Sequence, residues 1–131
     1  MIGLDTNILV RYITLDDPAQ AARAAQIIER QLTPDQPGFV SLVTIVEIAW
    51  VLESFYEFSD EQMAAAIERI LQIATLSVQN EREVYTAMVV LKSGAASFDD
   101  ALIGALGRWA GCSSTLTFDR KAARLKDSEL A

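Results

Sequence analysis

The sequence contains no histidine, and this absence excludes more chemistry than any other feature of its composition. Without an imidazole, the chain cannot use Ser-His-Asp or Cys-His catalysis, and it cannot offer histidine ligands to a metal ion. It has one cysteine, Cys112, so no disulfide can form within the chain, and a reducing cytoplasm is the compartment that we expect. Any catalysis must therefore depend on carboxylates and hydroxyls, with or without a bound metal ion.

Long apolar runs are also missing. No run approaches the roughly 18 residues that a membrane span needs. The first residues lack a basic region followed by a long apolar one, so we expect neither a secretory signal nor membrane contact. Cations are few: 11 lysines and arginines face 18 acids, which gives a net charge of −7. This deficit argues against diffuse, charge-driven binding of nucleic acid but leaves room for a local basic patch.

What the sequence does contain is an alternation of short apolar segments with helical patterns. The strand candidates are residues 2–4, 39–43, 76–78 and 112–116, and a fifth strand at the C-terminus would be short or absent. Strands that alternate with helices predict a parallel sheet between helical layers. We therefore predict one α/β domain over residues 1–131, with three α/β/α layers and a short, mostly parallel central sheet.

Several helix starts are visible as capping signals. Asp17 precedes Pro18 as an N-cap before a proline at the first helical position. Ser59-x-x-Gln62 and Thr44-x-x-Glu47 have the spacing of capping boxes. The second box would begin a helix over residues 44–58 that is apolar nearly all round, which predicts burial on more than one face.

Four acidic positions share a placement at strand-to-helix junctions. They are Asp5, Glu47, one of Asp99 and Asp100, and Asp119. Each alone is explained by capping or turn formation, which acids do often. Together they would lie at the carboxyl edge of a parallel sheet, where ligands bind in such folds. Which of the two neighbouring aspartates points into a site stays open.

Carboxylates gathered at one edge repel one another unless a cation joins them. Mg²⁺ prefers such oxygen ligands, and two metal ions about 3.5–4 Å apart can clamp the attacking and leaving oxygens of a phosphodiester. Thr6, Ser41 and Thr117 are hydroxyls that could orient water or a phosphate, although capping is the commoner role of each.

A local basic cluster follows the last acid. Arg120, Lys121 and Arg124 are candidate contacts for an RNA backbone, and a solvated basic helix face is an equally good interpretation. Arg11 is a weaker candidate of the same kind.

Four segments, taken in order, resemble the PIN-domain family. They are residues 2–7 (Ile-Gly-Leu-Asp-Thr-Asn) continued by 9–12 (Leu-Val-Arg-Tyr), 39–47 (Phe-Val-Ser to Glu), 100–103 (Asp-Ala-Leu-Ile) and 117–119 (Thr-Phe-Asp). Each motif is short, but four in sequence over residues 1–125 are specific. The chain length and the helix over residues 43–56 look most like VapC-type toxins of bacterial toxin–antitoxin pairs.

This resemblance implies a Mg²⁺-dependent endoribonuclease, with Mn²⁺ as a possible alternative, that forms a homodimer and binds RNA and a cognate antitoxin. It implies four acids as catalytic residues and metal ligands: Asp5, Glu47, Asp100 and Asp119. It thereby selects Asp100 over Asp99. Many relatives have an acid three residues before the Asp-Ala-Leu-Ile motif, where this chain has Ser97, and that departure leaves open whether one or two metal ions bind.

Two other functions stay open. A PIN-like fold could keep its acids and act only as a non-catalytic protein-binding module, which the serine at position 97 mildly favours. A phosphatase with Asp5 as nucleophile ranks low, because such enzymes generally have a second acid two residues later, where this chain has Asn7.

Overall fold

The computed structural model describes every residue from Met1 to Ala131 and has an α/β fold. Its strands are β1 (Ile2–Gly3), β2 (Gly38–Val40), β3 (Leu76–Val78), β4 (Thr115–Thr117) and β5 (Ser128–Leu130). Its helices are α1 (Thr6–Thr14), α2 (Pro18–Gln26), α3 (Leu42–Ser54), α4 (Asp60–Gln72), α5 (Glu81–Ser93) and α6 (Phe98–Trp109). A π-helical turn, Ile27–Gln31, extends α2, and a 3₁₀ turn, Ala122–Arg124, precedes β5. None of these helices combines the length and the apolar composition that crossing a bilayer requires.

The predicted class, helices around a short parallel sheet, is confirmed. Strands β1, β2 and β3 lie side by side in that order, all parallel, with Ile2 opposite Gly38 and Gly38 opposite Leu76. Space beside Gly38 is limited, since a Cβ atom there would lie 2.7 Å from Leu32 Cδ1 and 2.8 Å from Leu4 Cδ1. A larger residue at this point would require these two leucine side chains to shift.

The last two strands form a separate ladder rather than joining the first three. Strand β4 pairs in parallel with β5, with Thr115 opposite Ser128 and Thr117 opposite Leu130. The sequence placed the fourth strand three residues too early and left the fifth undecided. Strand β1 is only two residues long, and so it has few backbone groups with which β4 could pair.

Capping residues set most helix starts as the sequence predicts. The Asp17 side chain accepts a hydrogen bond from Gln20 N, and Ser59 and Gln62 form a complete reciprocal capping box. One prediction is wrong: Thr44 and Glu47 do not make a capping box. Ser41 is the N-cap of α3, since its Oγ accepts from Thr44 N at 3.1 Å. The helix therefore begins at Leu42, and Glu47 lies in its second turn.

The core is built where these helices meet the sheet. It is formed by large aliphatic side chains with almost no exposed surface, namely Leu9, Ile28, Val40, Ile45, Ile48, Leu52, Ile67, Ile70, Val84, Met88 and Leu91. Full burial of such a side chain stabilises a fold by roughly 1.5–3 kcal/mol. Helix α3 contributes three of these residues, which explains its scarcity of polar positions.

The apolar helix α3 is less completely buried than its composition suggests. Trp50, and Phe55 just after the helix, have 57% and 69% of their surface exposed. The single cysteine, Cys112, is also exposed. The apolar surface of α3 thus exceeds what its own core can cover, because one helix cannot turn every face toward the same layer.

A buried carboxylate, Glu83, fastens the start of α5. Its side chain accepts hydrogen bonds from Asn80 Nδ2 at 2.8 Å and from Arg82 Nε at 3.0 Å. The Arg82 guanidinium also stacks on Trp109, with Cζ 3.4 Å from the ring centroid, and so joins α5 to α6. The hydrogen bond from Asn80, followed by that from Arg82, holds the pKa of Glu83 below its ordinary value, although burial opposes the shift.

We expect Glu83→Gln to make the protein less stable by about 1 kcal/mol at neutral pH, the usual net value of one hydrogen bond. A carboxylate whose folded pKa is lowered stabilises the fold above its ordinary pKa, and this contribution disappears as pH falls through the folded value. The difference between wild type and variant should therefore shrink below about pH 4.5. Denaturant unfolding measured across this range checks it, and a difference that does not change with pH would contradict it.

Candidate metal and phosphate site

Asp5 lies at the carboxyl end of β1, immediately before α1. Its Oδ1 accepts a hydrogen bond from Thr6 N at 2.8 Å and so serves as the N-cap of that helix. The preceding side chain, Leu4, is buried and holds the junction against the sheet. The carboxylate itself is exposed. Asp5 therefore caps α1 and also presents a carboxylate at the edge of the sheet. In the sequence these two roles were alternatives, whereas in the structure one residue has both.

Glu47, from the second turn of α3, shares a cavity with Asp5. We call this the acid cavity; its volume is about 330 Å³. Its lining consists of Asp5, Thr6, Asn7, Val10, Arg11, Glu47, Val51, Phe55 and Tyr56. No cationic side chain forms an ion pair with Asp5 or Glu47, although the structure contains three such pairs elsewhere. The cavity thus brings together two carboxylates whose charge the protein does not neutralise.

The one cationic residue of this lining, Arg11, is paired with a different acid. Its Nη1 donates to both oxygens of Asp16, at 2.8 and 2.9 Å, and to Tyr56 Oη at 3.0 Å. Its Nε donates to Gln20 Oε1 at 2.8 Å, and the Tyr56 hydroxyl donates to Asp16. The hydrogen bond from Tyr56 lowers the pKa of Asp16, and the bond to Asp16 raises the pKa of Arg11. This network keeps the guanidinium in place.

The sequence missed this network as a unit. One of its contacts is local, because Arg11 and Asp16 are only five residues apart in the chain. The partners Asp16 and Tyr56 are 40 residues apart in the chain. Only the packing of α1 against α3 reveals that they meet.

Asp100 and Asp99 lie in the first turn of α6. Ser97 is the N-cap, and its Oγ accepts from the backbone N of Asp100 at 3.3 Å. The Asp100 carboxylate makes no hydrogen bond and is half-buried, whereas Asp99 is exposed and lines a neighbouring cavity beside Val46 and Trp50. Neither aspartate lines the acid cavity.

Asp119 follows β4 and is also outside the acid cavity. Its Oδ1 accepts from Lys121 N at 2.8 Å and from Ala122 N at 3.3 Å, and so it binds the backbone where the 3₁₀ turn begins. The structure therefore brings Asp5 and Glu47 together but does not place Asp100 and Asp119 in the same cavity. No three acidic side chains lie close enough to hold one metal ion together.

The three candidate hydroxyls differ in their surroundings. Thr6 is buried and lines the acid cavity. Ser41 caps α3 and donates to Thr44 Oγ1 at 3.1 Å, and Thr117 Oγ1 accepts from Asp119 N at 3.0 Å. Ser41 and Thr117 thus have the local bonding that capping predicts, and Thr6 is the hydroxyl that accompanies the two acids.

The predicted basic cluster lies on the surface. Arg120, Lys121 and Arg124 are all exposed, and none of their side chains forms an ion pair. The expected basic helix is reduced to the single 3₁₀ turn, and Phe118, just before it, has 88% of its surface exposed.

The donors in the acid cavity suit a hard divalent cation. Two carboxylates, a threonine hydroxyl and the Asn7 amide supply oxygen, the ligand atom that Mg²⁺ and Mn²⁺ prefer. The cavity offers no histidine or cysteine, which softer metals select. The unneutralised pair of acids also gives a reason for a cation to bind there. By the chemistry of its donors, the site fits the metal ion that the sequence suggests.

Comparison with known proteins connects this geometry to a family. The PIN domain model matches residues 2–128, which is nearly the whole chain. A search of curated proteins finds no match to this sequence. The matched residues include every helix and strand of the α/β fold up to the first residue of β5. The chain therefore belongs to the PIN domain family, whose members are generally nucleases.

Proposed function

We propose that this protein is a metal-dependent endoribonuclease and the VapC-type toxin of a bacterial toxin–antitoxin pair. The observation that carries the proposal is the acid cavity. Asp5 and Glu47 both line it, and neither carboxylate forms an ion pair with a cationic side chain. In a chain of a generally nucleolytic family, such a pair of oxygen ligands is what divalent-metal hydrolysis of a phosphodiester requires.

The acids of the chain divide into two groups in this proposal. Asp5 and Glu47 bind Mg²⁺, or Mn²⁺, in the acid cavity, and Asp100 and Asp119 complete the set when RNA is bound. The metal ion supplies charge stabilisation at the phosphate and lowers the pKa of water at the site. Glu47 also orients the attacking water. Because Ser97 stands where a further acid could bind a second metal ion, we propose that the site holds one ion.

Hydroxyls and cations of the chain position the substrate. Thr6 lies among the acids and orients water or a phosphate oxygen, with Ser41 and Thr117 as further hydroxyls at the ends of β2 and β4. The exposed side chains of Arg120, Lys121 and Arg124 contact the RNA backbone, where phosphate contacts fix the register of a strand.

Helix α3 supports the proposed protein partners. Val43 and Trp50 of α3 and Phe55, which follows its last residue, have 76%, 57% and 69% of their surface exposed. Exposed apolar side chains that lie close together often mark a binding surface. We propose that a second copy of the chain and the cognate antitoxin cover this surface in the cytoplasm.

One observation favours the alternative of a non-catalytic binding module. Asp100 and Asp119 do not line the acid cavity, and Ser97 stands where many relatives have an acid. A protein that only binds partners would keep Asp5 and Ser97 as helix caps and would need no metal ion. Cleavage assays separate the two functions.

We expect the purified protein to cleave structured RNA with Mg²⁺ or Mn²⁺ and to lose this activity with a chelator. Asp5→Asn should abolish cleavage while the protein stays folded, because asparagine caps helices as well as aspartate does. Asp17→Asn is the matched control, since Asp17 caps α2 in the same way but lies outside the cavity. Cleavage that survives Asp5→Asn, or that is absent with metal, would contradict the catalytic proposal.

Asp100→Asn separates a metal ligand from a structural acid. Since the Asp100 carboxylate makes no hydrogen bond, we expect a stability change within about 0.5 kcal/mol. Cleavage should fall by at least roughly a hundredfold, because even outer contacts of a metal site are worth about 10–100-fold. Asp99→Asn is the matched control and should retain activity. Unfolding curves and initial rates measure both. A loss of about 1 kcal/mol with full activity would mean that the Asp100 carboxylate stabilises the fold and is not a metal ligand.

A further inference from the structure

Beside the acid cavity lies a second cavity of opposite charge. Its volume is about 250 Å³, and we call it the arginine cavity. It is lined by Asn7, Ile8, Arg11, Gln20 and Arg23. Four of these five residues are polar or cationic, and none is acidic. The two cavities share Asn7 and Arg11, so they are neighbours along one face of α1.

Arg11 is held in this cavity through two of its three guanidinium nitrogens. Its Nε and Nη1 are occupied by Gln20, Asp16 and Tyr56, whereas Nη2 has no acceptor in the structure. No buried polar atom lacks a partner, so this nitrogen is accessible to solvent. A guanidinium that is already fixed loses little conformational freedom when an anion binds to its remaining nitrogen.

Arg23 adds a second charge to the arginine cavity. It projects from α2, is exposed, and makes a single side-chain hydrogen bond, from Nη1 to Gln26 Oε1 at 2.9 Å. No acid forms an ion pair with it. Arg11 shares its charge with Asp16, whereas Arg23 has no acidic partner. In a chain of net charge −7, these two arginines meet at a cavity with no acid in its lining and form a local site for an anion.

We propose that the arginine cavity binds a backbone phosphate of the RNA, next to the nucleotide held at the acid cavity. Arg11 and Arg23 bind its oxygens, Asn7 and Gln20 border it, and Asp16 and Tyr56 are positioning residues that aim Arg11. This inference rests on the proposed function for its substrate, because the acid cavity supplies the adjoining site. It gives the RNA strand a path along α1 and α2, separate from the basic cluster that follows β4.

Binding without cleavage tests this directly. With a chelator present to prevent hydrolysis, the affinity of the wild-type protein for a short fluorescent single-stranded oligoribonucleotide is measured by anisotropy over a range of salt concentrations. Arg23→Gln should weaken binding roughly three- to tenfold and lower the slope of log affinity against log salt by about 0.7, the value for one phosphate contact on a single strand. Arg30→Gln is the control, because this substitution removes one positive charge from an exposed position outside both cavities.

Arg11 needs a second variant, because its removal also breaks the network with Asp16 and Tyr56. Arg11→Gln should lower affinity and slope as Arg23→Gln does. Arg11→Lys keeps the charge but loses the fork, and we expect it to bind nearly as weakly as Arg11→Gln. Equal binding by Arg11→Lys and wild type would overturn the proposal of a built site. Unchanged affinity and slope in Arg23→Gln would overturn it as well.

The outcomes also separate this inference from the proposed function. If the wild type cleaves RNA with metal and both arginine variants bind and cleave as it does, the ribonuclease stands and the arginine cavity does not bind phosphate. If binding depends on both arginines and cleavage is absent with every metal, the phosphate site stands and the catalytic proposal falls.

Discussion

The junction between β1 and α1 is the constraint on which the rest of the site depends. Asp5 must cap α1, and in doing so it fixes its carboxylate at the edge of the sheet. The same helix then carries Asn7 and Arg11 on one face, and Arg11 reaches the loop before α2 and the end of α3 through Asp16 and Tyr56. Helix α1 thus lines both the acid cavity and the arginine cavity. The charge of the first suits a metal ion, and the charge of the second suits a phosphate.

The charge distribution is compatible with the proposed binding of RNA by an acidic protein. A net charge of −7 disfavours RNA at long range. Locally, the proposed cation in the acid cavity would offset Asp5 and Glu47, and Arg23, which has no acidic partner, adds positive charge to the arginine cavity. Association would therefore depend on a few placed arginines more than on overall attraction, which favours selective over diffuse contact with nucleic acid.

Most of the fold could be predicted from the sequence, because its signals are local. The caps at Asp17 and Ser59 and the strand-to-helix junction at Asp5 depend on residues within one turn of each other. The start of α3 was misplaced because Thr44 matched a capping pattern that Ser41 satisfies better. Of the site, the acids were identifiable by position, whereas the Arg11–Tyr56 contact and the exposure of Trp50 depend on how helices pack, which short-range patterns do not specify.

The central claim is that Asp5 and Glu47 form one cation site, and thermal unfolding with Mn²⁺ tests it most directly. An ion that binds only the folded protein stabilises it by about 2.7 kcal/mol at a concentration 100 times its Kd, enough to raise Tm by several degrees. Wild type should show this rise, as should the control Glu53→Gln on the same helix, whereas Glu47→Gln should show little or none. A rise of equal size in Glu47→Gln, or no response of the wild type to Mn²⁺, would contradict the account.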